Sequence, residues 1–405
     1  MKHILAISFL FLSLTTFSQT IENVTFQQEG KDIIVYYDLQ AEEGAKCEVS
    51  LYYSFNGGRN FYGPCESVTG DVGDVTPAYG RQIRWSAFQE LGDLSTSSFM
   101  VRVRGRYTAA PKPKEGVSGT LKDLPWTPEM VLIKGGTFTM GSPEREEGRD
   151  SDETQHQVAL SDYYIGKYEV TVADFQKFIA DTGHQTDAEK GDGSYIWDGG
   201  DWNKKSGINW RHDEEGKLRP KNEYNRPVIH VSWNDAQAYC QWLSRKTGKT
   251  YTLPTEAQWE YAARSRGQAV KYAWGNQAPN GQKGGNVADQ AAKKKFTGAT
   301  VFDDYEDGYV YASPIGRFLP NDSGLYDMTG NVYEWCQDWY VSDYYTTCKR
   351  EGTVQDPTGP VSGDRRVIRG GSWYNAPQHC RVAHRDYYSP SLRSSHIGFR
   401  LSRHP

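Results

Sequence analysis

Residues 109–116 read Ala-Ala-Pro-Lys-Pro-Lys-Glu-Gly. Two prolines without backbone N–H groups, a glycine and alternating charge leave no apolar face to bury, so neither helix nor sheet can run through this stretch. A chain of 405 residues is already long for one compact unit. It must therefore bury its apolar residues separately on the two sides. The expected organisation is a leader at 1–18, a first domain at 19–108, a linker at 109–124 and a second domain at 125–405.

The leader rests on Lys2 and His3 followed by the apolar and small run Ile4–Leu14, with Thr16 and Ser18 suiting cleavage before Gln19. That run is too short for a membrane helix, which takes about 20 residues. The expectation is export, ending in periplasm, on the cell surface or in the medium. In the first domain, Val49, Leu51 and Tyr53 alternate with polar neighbours up to the turn signal Asn56-Gly57-Gly58. Phe99, Val101 and Val103 repeat the period, as do Ile83 and Trp85. Period-two patterning puts one face in a core and the other in water. Short strands between glycine-rich turns point to an antiparallel β-sandwich of the immunoglobulin or fibronectin-III kind. No catalytic constellation appears there, so an interaction or spacer module is expected.

Six cysteines, at 47, 65, 240, 336, 348 and 380, permit disulfides in an exported chain. Cys47 and Cys65 are close enough in sequence to bridge two strands; the other four leave three pairings open. Net charge is −5 with acidic and basic residues interleaved, which argues against a nucleic-acid partner.

The second domain carries short helices in a background of loops. Val172, Phe175, Phe178 and Ile179 form one helical stripe. Ser232 with Asp235 and Thr255 with Gln258 are helix-start pairs, and Gly248 is a natural stop. Cys240 falls on a core-facing stripe.

Several phrases then follow in order: Met130-Val-Leu-Ile-Lys-Gly-Gly-Thr-Phe-Thr-Met-Gly-Ser142, Tyr164-Ile-Gly-Lys-Tyr-Glu-Val-Thr171, Pro227-Val-Ile-His-Val-Ser-Trp233 and Leu253-Pro-Thr-Glu-Ala-Gln-Trp-Glu-Tyr-Ala-Ala-Arg264. After them come Tyr272-Ala-Trp-Gly-Asn276, Gly324-Leu-Tyr-Asp-Met-Thr-Gly-Asn-Val-Tyr-Glu-Trp335, Arg369-Gly-Gly-Ser-Trp373 and Ile397-Gly-Phe-Arg400. Residues 128–403 resemble the formylglycine-generating enzyme (sulfatase-modifying factor) family. The resemblance implies an α+β chain whose second domain is a variant C-type-lectin fold with little regular secondary structure. It also implies structural calcium, a cation that takes six to eight hard oxygen donors. One set would be Asn286, the carbonyl of Val287, Asp307 and Tyr309. The other would be Asp327 and Glu334 with the carbonyls of Gly330 and Val332.

Oxidising members that this chain resembles use a copper ion on two cysteines five residues apart after the Gly-Gly-Ser phrase, since thiolates suit Cu(I). Here that segment holds only Cys380, and the alignment sets Asn375 and Pro377 near the expected cysteines. Copper is therefore not expected. Ser372 and Arg385 match the family's pocket. Tyr374, Arg385 and His396 are expected to line an open cleft among Tyr333, Trp335, Trp339, Trp373, Tyr387 and Tyr388, with Trp335 and Trp339 read as core. Aromatic faces with a few polar groups suit a protein, peptide or glycan ligand. The expected function is a binding or envelope-assembly module. The alternatives are the family's cysteine-to-formylglycine oxidation or other chemistry in the same pocket.

Overall fold

A computed structural model of the chain describes residues 20–40, 46–76, 78–92, 98–108, 120–198, 200–281, 283–296 and 298–405. The expected leader and the Pro-Lys stretch lie outside them. The chain divides into two compact units, Met1–Pro113 and Lys114–Pro405.

The first unit holds strands β1 (Thr20–Glu29), β2 (Asp32–Gln40), β3 (Lys46–Ser54), β4 (Val68–Gly70), β5 (Gly73–Val75), β6 (Ala78–Trp85) and β7 (Met100–Thr108). They form two antiparallel sheets, ordered β1-β2-β6-β4 and β5-β3-β7. Alternate residues close one core: Val35, Tyr37 and Leu39 from β2, Val49 and Leu51 from β3, Ile83 and Trp85 from β6, and Val103 from β7. The turn at Asn56-Gly57-Gly58 closes only a short bridge between Tyr53 and Tyr62. The long partner of β3 is β7, paired from Lys46–Thr108 to Ser54–Met100. The expected Cys47–Cys65 bridge is not formed; all six cysteines are free and buried. Cys47 and Cys65 pack as small apolar side chains in this core. Burial, then the charge of Glu90, pushes the Cys65 thiol up to about 12.

In the second unit, a five-stranded sheet runs in the order Tyr251–Thr252, Ser402–Arg403, Tyr163–Gly166, Met130–Ile133 and Thr120–Leu121. Ser402–Arg403 thus lies between Tyr163–Gly166 and Tyr251–Thr252. Thr120 pairs with Val131, so ordered structure begins inside the segment expected as linker. What fixes it is long-range: Tyr251 Oη donates to Asp123 Oδ2 at 2.6 Å, and Arg403 pairs with the same carboxylate. Local composition carries no sign of either contact. Helix Val172–Thr182 starts on Thr171, and helix Trp233–Thr247 runs from the Ser232–Asp235 capping box to a left-handed Gly248. Helix Glu256–Ala263 starts on the Thr255–Gln258 box.

A second sheet, Asp386–Tyr388, Arg366–Arg369, Tyr333–Trp339 and Ile397–Gly398 in that order, positions the residues discussed below. Helix Glu256–Ala263 packs behind it with every residue buried, including Glu256 and Glu260 one turn apart. Buried carboxylates are tolerated only with paired charge and hydrogen bonds. Arg369 supplies both, donating to Glu256 Oε1 at 2.9 Å and Glu260 Oε2 at 2.5 Å. Arg385 clamps both Glu256 oxygens, and Arg264 takes Glu260.

Candidate functional site

The strand Arg366–Arg369 ends in Gly370 and Gly371, at φ +99° and +72°. A Cβ on Gly371 would lie 2.8 Å from Cys380 Sγ. Glycine therefore lets the backbone fold back over the 3-10 turn Pro377–Cys380. Ser372 Oγ donates to Asn375 Oδ1 at 2.5 Å, and Asn375 Nδ2 donates to Tyr333 Oη at 3.3 Å. Cys380 Sγ donates to the main-chain oxygen of Asn375 at 3.4 Å. Cys380 is fully buried, and burial pushes its thiol well above the ordinary range. It is held as a thiol rather than a reactive thiolate.

Asn375 and Cys380, five residues apart, thus meet across this turn. Pro377 opens the 3-10 turn, where its lack of an N–H costs little.

The sequence-predicted pocket residues separate. Ser372 is buried with its hydroxyl spent on Asn375. Arg385 does not face a cleft: 4% exposed, it is clamped on Glu256 and stacked over Tyr345 at 3.9 Å. His396, 8% exposed, is wedged between Ser394 Oγ at 2.8 Å and the Trp202 ring at 4.3 Å. Burial depresses it to about 3, so it is neutral. Tyr333, Trp335 and Trp373 are core, whereas Trp339 is half-buried under the Arg366 guanidinium. What reaches solvent is a half-exposed strip, residues 374–379 with Asp386, Tyr387 and Tyr388. Tyr374 is braced by Trp197 and Trp202, ring centroids at 5.1 and 5.3 Å, from the hairpin Ser194–Trp197/Trp202–Lys205. Burial raises the Asp386 carboxyl.

The first calcium set touches this loop through the neighbouring Ala288, whose N donates to Asn375 O at 3.4 Å. Asn286 Oδ1 is buried without a partner. Asp307 accepts from Val287 N and Tyr309 N, and burial with Asp289 raises it to about 8. An orphaned amide oxygen at Asn286 and a buried carboxyl bonded to the next residue's N–H fit a hard cation. In the second set Asp327 Oδ1 is likewise unpartnered, but Glu334 does not fit. Arg400 takes both of its oxygens at 2.6 Å, and Trp259 Nε1 takes one. Among the described residues, no three His, Cys, Asp or Glu side chains are gathered to hold a metal.

Sequence reasoning missed the Glu256–Glu260 pair, although two glutamates on a helix with no polar face are a signal for buried arginine. It also missed the Trp197–Trp202 brace, which only strand pairing reveals.

Residues 117–405 match the sulfatase-modifying factor enzyme 1-like domain. The chain belongs to the sulfatase-modifying factor family. This family member is 36% identical over 295 residues to the formylglycine-generating enzyme of Mus musculus, covering 68% of this chain and 74% of that one. It is 31% identical over 302 residues to the inactive C-alpha-formylglycine-generating enzyme 2 of Mus musculus, covering 68% and 85%. The solved structure of PvdO from Pseudomonas aeruginosa matches at TM-score 0.54 and 29% identity, over 72% of this chain and all of that one.

Proposed function

We propose that this chain is an exported, non-catalytic member of the family, whose half-exposed strip at Tyr374–His379 and Asp386–Tyr388 binds a protein, peptide or glycan ligand within an envelope assembly. The observation that carries the reading is the Asn375–Cys380 pair. One sealed thiol and an amide cannot present the two soft sulfurs that Cu(I) takes. A relative named as inactive stands at 31% identity, so likeness across this fold does not bring the oxidation with it. The apolar run Ile4–Leu14 supports export. Among the described residues no helix is long and apolar enough to cross a membrane.

Structural calcium belongs to the same proposal, at Asn286 and Asp307 with the carbonyls of Val287 and Tyr309. The orphaned Asn286 Oδ1 supports it. The test of the functional reading is whether the protein, given copper and oxygen, oxidises a peptide bearing Cys-x-Pro-x-Arg. An unchanged peptide is the expected result, and an aldehyde product would overturn the reading.

A further inference from the structure

His379 Nδ1 and His384 Nε2 lie 3.0 Å apart, the rings edge-on with centroids at 4.8 Å. His379 stands on the 3-10 turn Pro377–Cys380, next to Cys380. His384 is buried beneath it, and its Nδ1 has no partner. Charged groups face the pair from every neighbouring element. Asp150 Oδ2, from the loop before the strand His156–Leu160, is 3.6 Å from His384 Nε2. Arg381 on the same loop and Arg369 on its strand act on His384 as like charges. Asp386, on the next strand, senses His379.

Two ring nitrogens at this distance are hydrogen-bonded only while one of them lacks a proton. One added proton leaves an N⁺–H···N bond. A second sets two N–H groups and two positive charges face to face, with Arg369 and Arg381 adding to the repulsion.

We propose that the His379–His384 contact is an acid-sensitive latch: closed, it holds the Pro377–Cys380 turn over the thiol, and protonation of both rings releases the turn and exposes Cys380 and Asn375. This deepens the reading of the strip as a binding surface and rests on that reading for its role, though the latch is a property of the loop alone. The direction follows from linkage. Burial and cationic neighbours hold His384 well below the ordinary imidazole range, so the open loop binds protons more tightly than the closed one. The closed form therefore loses ground as pH falls below about 6.5, up to roughly tenfold per pH unit for each proton taken up.

The test labels the full chain with a dipyridyl disulfide between about pH 7.5 and 5, with peptide mass spectrometry reading each cysteine. Each rate is divided by that of the same cysteine in the unfolded chain at the same pH. The normalised rate at Cys380 is expected to rise at least about tenfold on acidification, while Cys240 and Cys336 stay protected. His379→Gln removes one of the two ring protons and leaves His384 buried among Arg369 and Arg381, so it is expected to weaken the rise without removing it. A Cys380 rate that is flat with pH, or that rises equally in His379→Gln, overturns the latch. Should that variant label at Cys240 near neutral pH, and so be unfolded, amide exchange across residues 377–384 of the natural protein decides. Acid-enhanced exchange confined to that segment supports the latch, and exchange unchanged by pH removes it. A protein that oxidised the cysteine peptide yet kept the acid rise would lose the binding reading and keep the latch.

Discussion

Cys380 Sγ lies 3.4 Å from the main-chain oxygen of Asn375, five residues earlier in the chain. The family's oxidising members, by resemblance, place two thiols at this spacing. Here a carboxamide holds one position, its oxygen engaged by Ser372 and its amide by Tyr333. The loop's polar groups satisfy one another.

Asn375→Cys is expected to restore a Cu(I) site. Competition against a Cu(I) chelator should show one more equivalent bound than in the natural protein, because two facing thiols suit a soft ion. Equal copper uptake by the two proteins would show that the loop geometry differs from that described.

Removing the cation between two buried glutamates should be costly. Arg369→Leu leaves Glu260 with Arg264 alone and takes one of two arginines from Glu256. A loss of about 3–5 kcal/mol is expected in urea unfolding, the magnitude for breaking a buried ion pair on one side. A loss below about 1 kcal/mol would mean that the network is dispensable.

Much of this frame was legible in the sequence. Ser232 and Thr255 marked helix starts because capping is local chemistry, and Val49, Leu51, Ile83 and Trp85 marked the sandwich core because alternation is local too. Arg385 and His396 were placed in an open cleft because polar side chains near aromatic rings suggest a pocket. Their burial depends on Glu256 and on Ser394 with Trp202, contacts set by tertiary packing. The start of the second unit at Thr120 was hidden for the same reason, since its partners Val131 and Tyr251 lie elsewhere in the chain.

His396 offers a pH test with a definite sign. Burial lowers it to about 3, so between about 6.5 and 3 the unfolded chain binds a proton that the folded chain refuses. Its contribution is fully present above about 6.5 and declines by about 1.4 kcal/mol per pH unit below that. The stability difference between the natural protein and His396→Gln, followed by urea unfolding, should therefore shift against the natural protein by roughly 2–3 kcal/mol from pH 6.5 to 4.5. A difference independent of pH would place the proton on His396 in both states.

Calcium at Asn286 and Asp307 should stabilise the folded chain by mass action, about 2.7 kcal/mol at a hundredfold excess over its dissociation constant. The melting temperature is expected to rise with calcium, fall with chelator, and respond little to either in Asn286→Ala. Identical melting in calcium and in chelator would remove the ion from the proposal.

The most direct measurement is the mass of a Cys-x-Pro-x-Arg peptide after incubation with the purified protein, copper, calcium and oxygen, beside a working oxidising relative. The expected result is an unchanged peptide in the presence of this protein and an aldehyde in the control. An aldehyde formed by this protein would contradict the account, because it would require redox chemistry at a loop that holds one buried thiol and Asn375.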